Sequence, residues 1–223
     1  KSSKKGIVDE FNCNEANITV INNGLDTNEF SPVNEVKRNE YRLITTASAD
    51  VPLKGLDFSL KALKKLKKDF PNIHLIVIGL IKKGGHTEKL IRKLGLENDV
   101  TFKSNLTKNE IKDCYSKSSI AIVSSLYEGF GYPVIEAMSC EIPLIATNVS
   151  SIPELTSEFA KLVDPKNEEM IYQSVKDILS EYDKYKKIAI KGRQHVIKNF
   201  NWIKITDEYE NAIFETIKNH EKC

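Results

Sequence analysis

The feature that most constrains this chain is a regular alternation of short apolar runs with helix-period segments from residue 42 onward. "RLITTAS" (42–48), "IHLIVIG" (73–79), "VTFKS" (100–104), "IAIVSS" (120–125), "IPLIAT" (142–147) and "AKLVD" (160–164) read as strands. Between them, "KGLDFSLKALKKLKKDF" (54–70) places Leu56, Leu60, Leu63, Leu66 and Phe70 on one helical stripe, closed by Pro71 and Asn72. "HTEKLIRKLG" (86–95) ends on a glycine, "TKNEIKDCYSKS" (107–118) opens with a Thr107/Glu110 capping-box spacing, and "PVIEAMSC" (133–140) opens on proline. Strands bounded by helices at this spacing predict a doubly wound parallel sheet of Rossmann-like α/β class. The continuous apolar run 73–81 is too short to span a bilayer and fits a strand covered on both faces. Residues 168–220 read as helix throughout.

In such a sheet the strand exits at 48–55, 79–86, 104–107 and 125–133 share one edge, where these folds take ligands. One exit stands out: "SLYEGFGYPVIEAMSCEIPLIATN" (125–148) carries Glu128 and Glu136 on either side of a Gly-Phe-Gly turn and a proline. Gly129 and Gly131 permit close backbone approach. The first N–H groups of the following helix have no intrahelical partner, and the helix dipole favours an anion there, so a phosphate is the natural guest. Glu136, one turn into the helix, can accept two hydrogen bonds from a vicinal diol such as a ribose. Glu128, beyond the phosphate position, can hold a further hydroxylated group. Diol, phosphate and hydroxylated group in a row describe a nucleotide sugar.

Other residues carry weaker signals. Lys54 in "PLKG" either reaches a pyrophosphate as a point charge or is solvated, and the same choice applies to Lys82 and Lys83. The five lysines between 61 and 68 present either a solvated face or a basic surface for an anionic membrane. With 33 basic against 31 acidic residues, charge gives no case for a nucleic-acid partner. Cysteines at 13, 114, 140 and 223 show no paired spacing, the four histidines are scattered, and Cys140 reads as a packed thiol, so neither a disulfide framework nor a metal site is expected. A lone strand within "ANITVINNGLDTNEFSPV" (16–33) either joins the sheet edge or ends a preceding domain.

The block "SLYEGFGYPVIEAMSCEIPLIATNVSSIPE" (125–154) resembles the signature of retaining glycosyltransferases of family 4, in the GT-B superfamily, with Glu128 and Glu136 on its E-x7-E motif. "VINNGLDTNEFSP", "VPLKGLDFSLKALKKL", "VTFKSNLTKNEI", "LVDP" and "NFNW" occur in the expected order, so the resemblance covers nearly the whole chain. It implies the C-terminal half of a GT-B fold. Residues 1–33 would be the end of an N-terminal domain and linker, 34–200 the nucleotide-sugar-binding domain, and 201–223 a helix crossing back. It implies that Glu128 faces the transferred sugar as the catalytic carboxylate and that Glu136 binds the ribose. Backbone N–H groups of Gly129, Phe130, Gly131 and Tyr132 would hold the diphosphate, Lys54 would neutralise it, and the backbone near Leu106 would meet the base.

The implied reaction is hexosyl transfer with retention from a nucleoside-diphosphate sugar to a glycan or lipid-linked acceptor, without metal or other cofactor. The acceptor-binding N-terminal domain would be the missing partner, leaving the isolated chain inactive. The expected location is cytoplasmic, extending to peripheral contact at the inner membrane face. Two departures stand out. Ser48-Ala49 occupies the place of a frequent Gly-Arg pair, and "NVSSIPE" has serines where glycines are usual, which should tighten that loop only slightly. The alternatives are a non-catalytic nucleotide-sugar-binding subunit, another GT-B activity such as a phosphorylase or epimerase, and a scaffold without donor binding.

Overall fold

The computed structural model describes residues 2–33 and 36–220. Six strands, β1 (Asn39–Thr46), β2 (His74–Ile78), β3 (Val100–Lys103), β4 (Ser118–Val123), β5 (Leu144–Thr147) and β6 (Lys161–Val163), form one sheet in the order β3-β2-β1-β4-β5-β6. Every pairing is parallel. The helices are α1 (Ser2–Phe11), α2 (Leu56–Asp69), α3 (His86–Leu94), α4 (Lys108–Lys117), α5 (Tyr132–Ser139), α6 (Ile152–Thr156), α7 (Glu168–Ser180), α8 (Tyr182–Phe200) and α9 (Trp202–His220). This is the doubly wound α/β fold that the alternation predicts.

Successive side chains of the central strands divide between two cores. Leu43, Leu75, Val77, Ile120 and Ile122 pack with the leucine stripe of α2 and with Ile171, Val175 and Ile178 of α7. Ile44, Ile76, Ile78, Ala121 and Val123 face Tyr115 of α4, the buried side of α5, and Val196 and Phe200 of α8. Both faces of the sheet are therefore covered, which is why its strands read as unbroken apolar runs. The capping box of α4 is present in both halves: Glu110 accepts from the Thr107 N–H at 2.8 Å and Thr107 Oγ1 accepts from the Glu110 N–H at 3.3 Å. Three of the five lysines of α2 have partners on the chain, Lys65 with Glu169 at 2.8 Å, Lys67 with Asp99 at 2.6 Å and Lys61 over the Phe58 ring.

The strand expected within 16–33 does not form. Residues 18–24 join no ladder among the described residues, and Leu25 makes a single bridge to Asn201. Apolar residues do not make a strand where no neighbouring edge is in register. The segment instead docks on the α8–α9 junction, where the Leu25 N–H donates to the Phe200 carbonyl at 2.7 Å and Trp202 lies against Gly24. The boundary expected after residue 33 falls beside Asn34 and Glu35, which lie outside the described residues, as does Cys223. No described helix is long and apolar enough to cross a membrane.

Two arginines gather backbone carbonyls around the end of α5, and one of them, Arg193, also reaches this segment. Arg38 donates to the carbonyls of Tyr115 (2.7 Å) and Ser118 (2.8 Å) at the end of α4, and of Cys140 (2.7 Å) and Glu141 (3.1 Å) past the end of α5. Arg193 donates to the carbonyls of Ser139, Phe30 and Thr27. Helix ends leave carbonyls unpaired, and a guanidinium fork satisfies several at once while complementing the dipole. Arg38→Met should therefore destabilise the fold by about 3 kcal/mol in urea denaturation, because part-buried carbonyls lose their donor. A loss below about 1 kcal/mol would mean that water replaces the guanidinium.

Candidate functional site

The strand order reverses between β1 and β4, so the loops leaving these strands diverge and open a crevice at the carboxyl edge of the sheet. The loop after β1 ends in a 3-10 turn, Pro52–Lys54, and is stapled onto the loop after β4. The Leu126 N–H donates to the Leu53 carbonyl at 2.7 Å, and Ser124 Oγ donates to the Gly55 carbonyl at 3.0 Å. Gly55 has φ +62°, and a Cβ there would stand 1.9 Å from the Ser124 carbonyl oxygen. The glycine of "PLKG" is thus required for the two loops to touch.

That staple brings Lys54 to Glu128. The Lys54 ammonium is 2.7 Å from Glu128 Oε1, and Ser125 Oγ donates to the same oxygen at 2.7 Å. Glu128 is 8% exposed, against 32% for the lysine side chain, so a nearly buried carboxylate is matched by a cation with room to move. Ser151 braces the loop from beneath, its Oγ 2.7 Å from the Phe130 carbonyl and 3.2 Å from that of Glu128. Of the two serines of "NVSSIPE", Ser151 thus holds the glutamate loop through two of its carbonyls.

Helix α5 begins at Gly131, whose φ of +105° turns the chain into the helix, with Pro133 in the first turn and no side chain capping that end. A Cβ on Gly131 would come 3.1 Å from Leu155 Cδ1, whereas one on Gly129 would meet nothing within 4 Å. Packing therefore explains Gly131, but Gly129 faces open space. Phe130 packs its ring against Tyr132 and Phe200, leaving its backbone at the turn. Across the crevice, Ile7 and Glu10 of α1 and Tyr127, Glu128, Gly129 and Ser151 line a cavity of about 370 Å³.

One turn into α5, Glu136 is half-buried and accepts from the Tyr115 hydroxyl at 3.3 Å. Tyr115, on α4, lies 3.1 Å from Thr46 Oγ1 at the end of β1. Burial pushes the Glu136 carboxyl up to about 7, and the Tyr115 hydroxyl only partly offsets this.

Leu106 follows the β3 exit, in the turn before α4, and packs on the core beneath α4 and α5. β3 is two strands from β1, so Leu106 stands farther along the edge than the Lys54–Glu128 pair. Lys82 and Lys83 are exposed on the β2 exit and do not join that pair. At Ser48-Ala49 the backbone runs along the β2 exit, with the Ala49 N–H donating to the Leu80 carbonyl at 3.1 Å. The neighbouring Asp50 accepts from the Thr87 N–H at 2.8 Å, while the Asp50 N–H donates to Thr87 Oγ1 at 3.1 Å, so this acid caps α3 across the loops. Among the described residues, no three His, Cys, Asp or Glu side chains stand together as metal ligands would.

Sequence reading missed Thr46, Tyr115, Ser125 and Ser151, together with the anchors Arg38 and Arg193. Only Ser125 is local to the glutamate it serves. The others act across 21 to 166 residues of chain, and no spacing rule reports such contacts.

A parallel sheet with this reversal, and a crevice where its exit loops diverge, define a doubly wound, Rossmann-like domain. Residues 27–195 match the family described as Glycosyl transferases group 1, and the chain belongs to that family. It is 31% identical over 219 residues to the MMP alpha-(1->4)-mannosyltransferase of Mycolicibacterium hassiacum, an alignment covering 95% of this chain and 53% of that protein. A glycosyltransferase from Rickettsia africae superposes with a TM-score of 0.85 at 26% identity, over 98% of this chain and 62% of that one. The C-terminal domain of a glycosyl transferase group 1 family protein (LpcC) from Francisella tularensis superposes with a TM-score of 0.70 at 25% identity, over 80% of this chain and all of that one. The chain spans about half the length of the curated relatives it matches.

The Glu136 environment carries its own prediction. Its carboxyl is raised in the folded chain, so its contribution to stability is present below the unfolded value of 4.5 and is lost as pH rises through about 7. Glu136→Gln should leave the melting temperature nearly unchanged at pH 5. At pH 8 it should stabilise the fold by about 2 kcal/mol, removing a buried charge. A pH-independent difference between variant and parent in thermal melts would contradict this assignment.

Proposed function

We propose that this chain is the donor-binding half of a retaining glycosyltransferase that moves a hexose from a nucleoside-diphosphate sugar to a glycan or lipid-linked acceptor. The observation that carries the reading is the Lys54–Glu128 pair at 2.7 Å beside the uncapped start of α5. An ammonium and a helix N-terminus converge where a diphosphate would lie, and a carboxylate sits where a sugar would follow. In this reading the diphosphate draws Lys54 off Glu128, and the lysine with the Gly129 to Tyr132 amides stabilises the charge that grows as the leaving group departs. Glu128 then turns its freed oxygen to the transferred sugar. Glu136 accepts from the ribose hydroxyls, and the backbone near Leu106 meets the base. Positive potential comes from Lys54 and α5, and the proposed reaction calls on no metal or other cofactor.

Three further observations support the reading. The relative at 31% identity is named a mannosyltransferase, which favours a hexosyl donor. The Francisella domain, matched along its whole length, is a C-terminal domain of a group 1 protein. Helix α9 exposes Ile203, Ile213, Phe214 and Ile217, at 51–75%, as a surface for the acceptor-binding domain that residues 1–33 would lead from. An isolated donor half should bind nucleotide yet turn over little, because alignment with the acceptor supplies much of the rate.

Calorimetric titration of the chain with UDP, GDP and ADP, free and as sugar conjugates, tests this. One base should bind, and Glu136→Ala should weaken it about tenfold or more. Binding to none, or binding indifferent to Glu136, would overturn the donor site, and brisk transfer by the chain alone would overturn the half-cleft view. Gly129→Val gives an independent check. With open space around it, the variant should keep its stability within about 0.5 kcal/mol while losing nucleotide affinity. Equal loss of both would make Gly129 a folding residue.

A further inference from the structure

Tyr115 is almost fully buried, at 2% exposure, and its hydroxyl lies between Thr46 at the end of β1 and Glu136 of α5. A ring in this position needs no hydroxyl to fill the core, since Ile44, Val134, Met138 and Cys140 belong to the same apolar cluster. A buried hydroxyl must be paired, and Thr46 Oγ1 at 3.1 Å alone would pair it. The second contact, 3.3 Å to Glu136 Oε2, is therefore additional to what burial demands. The tyrosine is fixed at both ends: Arg38 holds its backbone carbonyl at 2.7 Å, and Thr46 holds its hydroxyl.

Direction follows from proton counting. A tyrosine hydroxyl has one proton. When that proton goes to the carboxylate, Thr46 donates to the tyrosine oxygen, and the chain runs Thr46 to Tyr115 to Glu136. Among the described residues, Tyr115 is the one side chain that hydrogen-bonds Glu136. Oε2 is thereby tethered, and Oε1 keeps its lone pairs for a ligand.

We propose that Tyr115 is a positioning residue. Held by Thr46, its hydroxyl fixes the Glu136 carboxylate in the orientation that receives a ribose diol, and so sets the preference for ribonucleotide over 2′-deoxyribonucleotide donors. The inference rests on the reading of Glu136 as the ribose ligand. It adds that the orientation of Glu136 is imposed from α4 and β1 rather than by α5 itself. The tether also favours the ionised carboxylate, the form able to accept from two hydroxyls, against the burial that opposes it.

The test compares UDP with 2′-deoxy-UDP, and the GDP and ADP pairs likewise, on the parent chain and on Glu136→Gln, Tyr115→Phe and Thr46→Val. The parent should bind the ribonucleotide about tenfold more tightly, and Glu136→Gln should abolish that ratio. Tyr115→Phe should lower the ratio about threefold or more while leaving 2′-deoxynucleotide affinity unchanged, and Thr46→Val should lower it less. Tyr115→Phe weakening both nucleotides equally, or neither, would overturn the inference and leave Glu136 in place. A parent without ribose preference, or a preference surviving in Glu136→Gln, would overturn the Glu136 reading and the inference with it. Should Tyr115→Phe not fold, Thr46→Val decides, because an unchanged ratio there contradicts the tether.

Discussion

The site depends on how α5 is held. This helix is apolar nearly all round, with Val134, Ile135, Ala137 and Met138 at or below 1% exposure, so the core on both sides fixes its axis. Its C-terminal carbonyls are gathered by Arg38 and Arg193, which also bind the linker and the end of α4. All capping strength is thus placed at the end remote from the crevice, and the start is left without a side-chain cap. The helix is anchored by its negative end and offers its positive end to a ligand. Glu128, Gly129, Gly131 and Glu136 are positioned by that one decision, since they lie on or just before this helix.

The loops add a second constraint. Ser124, Ser125 and Ser151 carry no charge, yet they set where Glu128 can be. Ser124 staples the β1 exit through Gly55, Ser125 holds the carboxylate, and Ser151 braces the loop's carbonyls. Lys54 then completes an ion pair that is buried on one side and open on the other. A nearly buried carboxylate without a cation is costly, so the lysine stabilises the empty site as well as offering charge to a ligand. The sequence offers a solvated lysine or a ligand-directed one; the structure adds that Lys54 is paired with Glu128 across the crevice.

Much of this architecture was legible in the chain. Unbroken apolar runs and the 3.6-residue period locate the six strands and most helices within a few residues, because both sheet faces are buried and the signal is strong. The Gly-Phe-Gly turn between Glu128 and Glu136 reads directly as a loop feeding a helix. The failures have a common cause. Residues 16–33 look like a strand locally, but a strand exists only with a neighbour in register. Arg38 and Arg193 look like surface charges until carbonyls a hundred residues away converge on them. The sequence says nothing of Tyr115 beyond its helix; its ring is a core residue, and its hydroxyl acquires meaning only from β1 and α5. Asp50 caps a helix that starts 36 residues later, invisible to any rule about adjacent residues.

The two glutamates of the signature are chemically unlike, and the difference resolves an electrostatic conflict. Two full carboxylate charges beside a diphosphate would repel it. Here Glu128 is matched by the Lys54 ammonium at 2.7 Å, so its charge is balanced before any ligand arrives. Among the described residues Glu136 has no cationic hydrogen-bond partner; a neutral tyrosine faces it, and burial raises its carboxyl to about 7. Near neutral pH the empty crevice therefore carries less negative charge than its sequence suggests. A diol donating to Glu136 favours ionisation only at the moment of binding, one helical turn from the α5 start, where the dipole opposes a phosphate's charge. One acid is neutralised by a cation that can leave, the other by burial that a ligand can overcome. Under the proposed function, such a crevice would admit an anion first and present its second carboxylate charge once hydroxyl groups are there to receive it.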